Sequence, residues 1–438
     1  MTAYNRDSER TVCIIGLGFV GLPLAMSFIA KGFRVVAIDT NERKLAALAA
    51  GDSYVQDVSG HDLLEEISSG RLELTGRYDA ASKAEAVMIC VPTPLSSDGT
   101  PDLGFLLDAC RRLSHVLRSG QLIIIESSTY PGTTSGQIRA VLETSGRKAG
   151  HDFYLAYSPE RIDPGNRDCG IHQIAKIVSG TSEACLGRVA DLYRTVFDRV
   201  IPVSSTEAAE TIKLLENSYR FINISFINEF AMLCERLSLN VWEIIEAAAT
   251  KPYGFSAFYP GPGIGGHCIP VDPLYLQWKA AQSGQISRFI ETALQINRQM
   301  PDYLVQEIRR HLPEGTKLNH ARILVYGVTY KPNIADARES TAMAIMEALL
   351  QQGADIRYYD PYLPSVQLPS GSIVRRTELT AAALEEADCL LILTNHNELP
   401  VQLIAEHCSF VYDTRNAVKE IRRGAKLVTL GNGSRTPQ

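Results

Sequence analysis

Thr11-Val-Cys-Ile-Ile-Gly-Leu-Gly-Phe-Val-Gly-Leu-Pro-Leu-Ala25 is a short apolar run that meets Gly16-x-Gly18-x-x-Gly21 and continues into an amphipathic helix to about Ala30. A second apolar run, 34–38, ends in Asp39. Each piece has a task in a strand-turn-helix-strand unit that holds a dinucleotide. Gly16 makes the turn, Gly18 admits a pyrophosphate against backbone, Gly21 lets helix pack on strand, and Asp39 accepts hydrogen bonds from a ribose diol. Phe19 and Val20 fill the turn between the glycines and count among the cofactor contacts. The acid at 39 favours NAD over NADP, because a ribose 2′-phosphate would meet a like charge; Arg43 and Lys44 lie close by on the other side of that balance.

Outward from this unit, strand patterns recur at 86–91, 122–126, 153–157 and 174–178, separated by helical patterns. That alternation predicts a doubly wound parallel sheet with its functional groups at the carboxyl ends of the strands. Three of those ends carry unusual polar sequence: Val91-Pro-Thr-Pro94, Ser127-Ser-Thr-Tyr-Pro-Gly132 and Tyr157-Ser-Pro-Glu-Arg-Ile-Asp-Pro-Gly165. Taken singly, each is also explained as a proline-rich turn leaving a strand.

Residues 203–251 contain neither glycine nor proline and read as one long helix, capped by the serines and threonine of Pro202-Val-Ser-Ser-Thr206, with Glu207 and Glu210 in the early turns. Lys213 and Asn217 are four apart and share a face, and Asn228 falls near the same stripe. Alone, Lys213 reads as a solvated helix lysine. Further on, Gly261-Pro-Gly-Ile-Gly-Gly-His-Cys-Ile-Pro-Val-Asp-Pro273 isolates Cys268 in a glycine loop, with Asp272 four residues later. The glycines admit close approach of a ligand, and Pro270 and Pro273 suit a first helical turn, placing Cys268 where a helix N-terminus favours thiolate. The competing reading is an inert buried thiol beside a tight turn.

From about Asn319 the alternation restarts. Arg322-Ile-Leu-Val-Tyr-Gly327 is a strand meeting glycine, followed by Thr329-Tyr-Lys-Pro-Asn333, Asp336, Arg338 and a helix from Ser340, with strands at 356–359, 389–393 and 410–413. This is a second Rossmann-like domain without the glycine fingerprint. Bulk properties agree with a multidomain enzyme: 438 residues, 45% hydrophobic and 21% charged. A net charge of -6 with no basic run argues against nucleic acid, and the absence of long apolar stretches and of an apolar core in residues 1–10 argues against membrane or secretion, leaving the cytoplasm. Nine scattered cysteines without C-x-x-C spacing argue against a disulfide framework and against a metal site.

In their order, the NAD fingerprint, the S-S-T-Y-P-G-T segment, the S-P-E-R segment, the Lys213/Asn217 helix and the G-G-H-C-I-P-V-D loop resemble the UDP-glucose/GDP-mannose dehydrogenase family over nearly the whole chain. Y-S-P-E-R-I-D-P-G-N at 157–166 and Val271, where the UDP-glucose branch has lysine, resemble the branch acting on UDP-N-acetylhexosamines, and UDP-N-acetylglucosamine is the expected substrate. UDP-N-acetylmannosamine, UDP-glucose and GDP-mannose are the alternatives. The resemblance implies two successive oxidations of a C6 alcohol to a carboxylate by two NAD, through a thiohemiacetal and a thioester on Cys268.

The same resemblance implies the roles. Lys213 stabilises the oxyanion at C6 with Asn217 donating from the same face. Asp272, Thr129 and Glu160 orient or deprotonate water and alcohol, with the base in each step left open. Pro92, Thr93, Thr129, Arg43 and Arg338 join the cofactor contacts. Glu160, Arg161, Lys213, Asn217, Phe258, Tyr259, Gly265 and Lys331 join the substrate contacts. The implied architecture is α/β, two Rossmann-like doubly wound domains joined by a long central helix and a helical middle domain. Its bounds are 1–203 for NAD, 204–312 for the helical middle and 313–438 for the UDP-sugar. The apolar run 221–232 fits a homodimer or higher homo-oligomer built on the middle helices, and a bacterial surface-glycan pathway is the family's expected setting. A two-electron hydroxyacid dehydrogenase would have no use for Cys268, and a noncatalytic NAD-binding module none for the six residues Thr129, Glu160, Lys213, Asn217, Cys268 and Asp272 together.

Overall fold

The computed structural model describes residues 10–55, 57–161 and 170–433. The expected N-terminal polar segment, residues 1–9, and the Ile162-Asp163-Pro164-Gly165-Asn166 part of the branch motif lie outside the described residues. The chain divides into two compact units, Met1–Glu216 with Leu274–Gln285, and Asn217–Pro273 with Ile286–Gln438.

The first unit is built on a sheet of strands β1 (Thr11–Ile15), β2 (Arg34–Ile38), β3 (Leu72–Thr75), β4 (Ala86–Ile89), β5 (Leu122–Ile125), β6 (Tyr154–Tyr157), β7 (Lys176–Gly180) and β8 (Val200–Pro202). Their order is β3-β2-β1-β4-β5-β6-β7-β8. Through β6 this is the 3-2-1-4-5-6 order of dinucleotide folds, whose switch point lies between β1 and β4. Helices cover both faces of a parallel sheet, so its strands read as continuous apolar runs rather than alternating ones. Val12, Ile14, Val35, Ala37, Met88 and Ile124 accordingly share one core with Leu22, Leu24 and Phe28 of the helix Gly21–Ile29. Each such fully buried aliphatic or aromatic side chain contributes about 1.5–3 kcal/mol.

The sheet is not parallel throughout. β7 runs antiparallel to β6, pairing Ala156 with Gly180 and Tyr157 with Ser179. A parallel return needs a crossover, usually a helix, and the described part of this connection holds only the 3-10 turn Ile171–Gln173. The strand expected at 174–178 lies at Lys176–Gly180.

In the second unit, strands β9 (Arg322–Tyr326), β10 (Asp355–Tyr359), β13 (Cys389–Ile392), β14 (Phe410–Asp413) and β15 (Lys426–Thr429) form a parallel sheet in the order β10-β9-β13-β14-β15, while β11 (Ser365–Gln367) and β12 (Ile373–Arg375) pair as a separate hairpin. Counted within this unit the order is 2-1-3-4-5, the other common doubly wound arrangement, with its switch point between β9 and β13.

The continuous helix expected over 203–251 is two helices, Thr206–Leu237 and Val241–Ala249. Ser205 caps the first by accepting from the Ala208 N–H at 3.1 Å. Ser238 ends it in a left-handed conformation (φ 57°), a place glycine usually takes, and the Asn240 side chain then caps the second by accepting from Trp242 N–H at 3.0 Å. Among the described residues no helix is long and apolar enough to cross a membrane.

Candidate active site

At the β1–β4 switch point, each glycine of the fingerprint has a distinct constraint. Gly16 has φ +94°, and a Cβ there would lie 2.7 Å from the Cys90 carbonyl oxygen. A Cβ on Gly21 would fall 1.9 Å from the Gly16 oxygen, so helix and turn meet only because it is absent. Gly18 faces open space, with nothing within 4 Å of its missing Cβ. Both oxygens of the buried Asp39 carboxylate are oriented by backbone, accepting from Leu17 N–H at 3.0 Å and Asn41 N–H at 2.9 Å. Phe19 and Val20 are half-buried at the start of a helix whose first turn carries no acid and no side-chain cap, leaving N–H groups for an anion. These residues fit a dinucleotide. Arg43 is exposed on the helix Glu42–Ala49, and its backbone N–H is used by the cap residue Asn41. Pro92 is exposed and Thr93 buried, with the Thr93 carbonyl accepting from the Tyr275 hydroxyl at 3.0 Å.

The carboxyl ends of β5 and β6 converge on the long helix. Lys213 is only 6% exposed and pairs with the equally buried Glu160 at 3.3 Å, so it is not a solvated lysine. A charge pair out of water is costly unless geometry and further hydrogen bonds compensate, and both residues do have further partners. Thr129 is fully buried and donates to Glu210 at 3.2 Å. Arg161 is engaged by Glu216 at 2.7 Å and by the Ala175 carbonyl at 2.7 Å.

In the second unit, Asn217 donates through Nδ2 to the Asp272 carboxylate at 2.5 Å, both side chains being buried. Asp272 begins the helix Asp272–Gln282, and the Cys268 carbonyl accepts from Val271 and Asp272 N–H at 3.1 and 2.9 Å, which puts Cys268 at the turn before that helix. Cys268 is a half-buried thiol in no disulfide, whereas Cys13, Cys110, Cys185, Cys234, Cys389 and Cys408 are buried.

Its loop is held on both sides. Asn228 accepts from Gly261 N–H at 2.9 Å, and Asn297 grips Ile264 twice, accepting from its N–H at 2.6 Å and donating to its carbonyl at 3.2 Å. Gly265 and Gly266 lie flat on the segment after β9. A Cβ on Gly265 would be 2.6 Å from the Glu339 carbonyl oxygen, and one on Gly266 (φ +92°) 2.7 Å from the Tyr330 ring. Arg338 is paired with Asp336 at 2.7 Å; that pairing holds its guanidinium above the ordinary range, with Tyr330 and Cys268 adding to the effect. Burial pushes the neighbouring His267 imidazole down, and the Arg338 charge pushes it further. Phe258 is half-buried edge-on to Tyr219, Tyr259 is exposed and stacked on Trp242, and Lys331 is half-buried, its carbonyl accepting from Thr329.

Sequence reading missed Asn297 and Arg415. The Arg415 guanidinium lies against Gly261, 2.5 Å from where a Cβ would sit, and donates through Nε to the Leu393 carbonyl at 2.8 Å. Among the described residues no carboxylate is within ion-pair distance of it, and burial pushes its pKa down to about 10. Its signal was Asp413-Thr-Arg-Asn416 at the carboxyl end of a strand in the second sheet.

A dinucleotide fold, a second nucleotide-type sheet and a half-buried thiol one turn before a buried carboxylate–amide pair together define an NAD-dependent dehydrogenase with a second nucleotide to hold. Three family models match in succession: the NAD binding domain of the UDP-glucose/GDP-mannose dehydrogenase family at residues 10–197, its central domain at 207–299 and its UDP binding domain at 324–420. The chain belongs to this family of nucleotide-sugar dehydrogenases. UDP-N-acetyl-D-mannosamine dehydrogenase of Methanococcus maripaludis is 30% identical over 452 aligned positions, covering 99% of this chain and 100% of the relative. The structure of a UDP-D-ManNAc dehydrogenase from Pyrococcus horikoshii matches with a TM-score of 0.85 at 32% identity, over 97% of this chain and 99% of the other. A UDP-glucose dehydrogenase from Pyrobaculum islandicum matches with a TM-score of 0.83 at 26% identity, over 97% of this chain and 100% of the other.

Proposed function

We propose that this chain oxidises the C6 alcohol of UDP-N-acetylmannosamine to the carboxylate, a four-electron change using two NAD. UDP-N-acetylglucosamine stood first on the loop motifs. The relatives named for N-acetylmannosamine support that alternative better, since they match over almost their full length. The observation that carries the chemistry is Cys268, a half-exposed thiol before a helix start, in a loop of glycines that has no room for side chains. That arrangement favours a nucleophile over an inert core thiol.

On this reading residues 1–203 hold NAD, 204–312 supply the catalytic helix and the cysteine loop, and 313–438 hold the UDP-sugar. Gly16, Gly18, Phe19, Val20, Gly21, Asp39, Pro92 and Thr93 hold the NAD, with Arg43, Thr129 and Arg338 as its further contacts. NAD, when bound, supplies the hydride acceptor for the alcohol and again for the sulfur adduct. Lys213 carries positive charge to the C6 oxygen, where negative charge develops in each step, and Asn217 adds a donor oriented by Asp272. The Cys268 thiolate forms a C–S bond to the aldehyde carbon, creating the tetrahedral C–H that an aldehyde lacks. After the second oxidation, water adds to the thioester carbon, the C–S bond breaks and Cys268 leaves as thiolate. Glu160, with Thr129, holds that water and takes its proton. Phe258, Tyr259, Gly265, Arg161 and Lys331 line the substrate, and the buried guanidinium of Arg415 suits its diphosphate.

A second copy of the chain is the proposed partner, in the cytoplasm. Leu215, Tyr219, Phe226, Leu233 and Leu237 are all exposed on the long helix at steps of four, seven, seven and four, an apolar stripe of helical period. The same stripe on a copy would cover it, as a twofold interface does.

The test is NADH formed per sugar consumed, with UDP-N-acetylmannosamine, UDP-N-acetylglucosamine and UDP-glucose as separate substrates. Two NADH per UDP-N-acetylmannosamine, with the others slow, is expected. One NADH per sugar, or none with any of the three, overturns the reading.

A further inference from the structure

We propose that Glu210 is a positioning residue for the reaction just described: it fixes Thr129 as a hydrogen-bond acceptor, and through Thr129 it places the water that releases the carboxylate product. The inference rests on that proposed function. Glu210 is fully buried, and its carboxylate collects four hydrogen bonds from one loop. Oε1 accepts from the Thr129 hydroxyl at 3.2 Å, the Thr134 N–H at 2.8 Å and the Thr134 hydroxyl at 2.7 Å; Oε2 accepts from the Gly132 N–H at 2.7 Å. Among the described residues no cation lies within ion-pair distance of it, and the lysine one turn on, Lys213, is paired with Glu160 instead. In the ionised form, which predominates above about pH 7, the negative charge is therefore held by oriented donors alone.

This arrangement does more than cap a turn. Gly132 is left-handed (φ 91°), and at the start of the π-helical turn Thr133–Ile138 that follows, the Thr133 N–H donates to the Tyr130 carbonyl at 3.1 Å while Glu210 takes the Gly132 and Thr134 N–H groups. The bond from Thr129 is additional, and it has a chemical consequence. A threonine hydroxyl has one proton and two lone pairs. With the proton committed to Glu210, Thr129 offers only lone pairs to anything that approaches. A water bound there must donate one proton in a hydrogen bond to Thr129, which turns its lone pairs and its remaining proton toward other groups, and Glu160 is the carboxylate assigned to take that proton. The step is balanced: water oxygen bonds to the thioester carbon, its proton goes to Glu160, and the C–S electron pair returns to Cys268.

The experiment compares wild type, Glu210→Gln, Thr129→Ala and the double variant. It reads kcat, KM for the UDP-sugar, melting temperature and, by intact-protein mass under turnover, the fraction of enzyme carrying the acyl group. Expected for Glu210→Gln is a kcat lower by about tenfold or more, as for a misplaced catalytic group, with KM little changed and the acyl-enzyme accumulating. The double variant should be no slower than the slower single variant, because both remove one device. Should Glu210→Gln fail to fold, Glu210→Asp, which keeps the charge and retracts it by one methylene, carries the same predictions. Normal kcat in the Glu210 variant, loss without acyl-enzyme, or losses that multiply in the double variant would overturn the proposal while leaving the proposed function standing. A wild type inactive on every UDP-sugar would overturn both.

Discussion

Gly266→Ala isolates the packing that holds the thiol loop. Two costs are fixed by the geometry. Gly266 has φ +92°, a region that costs an L-residue about 1–2 kcal/mol, and the new Cβ would lie 2.7 Å from two atoms of the Tyr330 ring. A ring cannot yield like the end of a flexible chain, so the overlap adds the usual overpacking cost of about 1–3 kcal/mol. The sum, about 2–5 kcal/mol, is a large part of the stability of a unit this size. Scanning fluorimetry should show a melting temperature lower by about 4–20 °C, at about 2–4 °C per kcal/mol. Thiol titration in the native state should show a changed rate for Cys268, whose loop must shift to clear the ring. Combined with Tyr330→Ala, the steric part should vanish and the backbone part remain, so the double variant loses less than the sum by about 1–3 kcal/mol. An unchanged melting temperature, or strict additivity with Tyr330→Ala, would refute the argument.

Gly18→Ala is the counterpart: with nothing within 4 Å of its missing Cβ, the variant should melt like wild type yet bind NAD far more weakly in calorimetry, because the added methyl stands where the pyrophosphate approaches. Cys268→Ser should retain NAD and UDP-sugar binding but release no carboxylate, and normal uronate turnover in it would sink the covalent route. Burial lifts the Glu210 carboxyl to about 7, above its unfolded value. Its contribution to stability is therefore complete below the ordinary carboxylate range and lost as pH rises through about 7, and Glu210→Gln should flatten that part of the melting profile. Phe226→Glu puts a charge in the exposed stripe of the long helix and should yield monomers in light scattering without lowering NAD affinity.

What could be read from the chain was what local geometry demands. Gly16 is required by its positive φ, Gly21 by the Gly16 oxygen five residues earlier and Gly18 by an open face, and Asp39 ends the next strand, so the unit declares itself over the 29 positions from Thr11 to Asp39. Strands of three residues, such as β8 and the hairpin β11–β12, are too short to show a period of two, and they went unseen. The break at Ser238 was invisible because a serine took the left-handed turn that glycine normally marks. Lys213 looked like a surface lysine because its partner Glu160 is 53 residues away, and the hold of Glu216 on Arg161 went unseen because it spans 55 residues. The hold of Asn297 on Ile264 and the burial of Arg415 against Gly261 likewise belong to tertiary structure alone.

The two asparagines that clamp the thiol loop bear on how the protein is made. Asn228 precedes Gly261 by 33 residues and Asn297 follows Ile264 by 33. A ribosome adding about 5–20 residues per second delivers the second clamp about 2–7 s after the loop itself. For that interval the nascent chain carries its thiol without the geometry that aims it. Chemical competence is thus acquired late in synthesis, when segments from three stretches of the message have come together, and a truncated chain ending before Asn297 holds the cysteine but not its bearing.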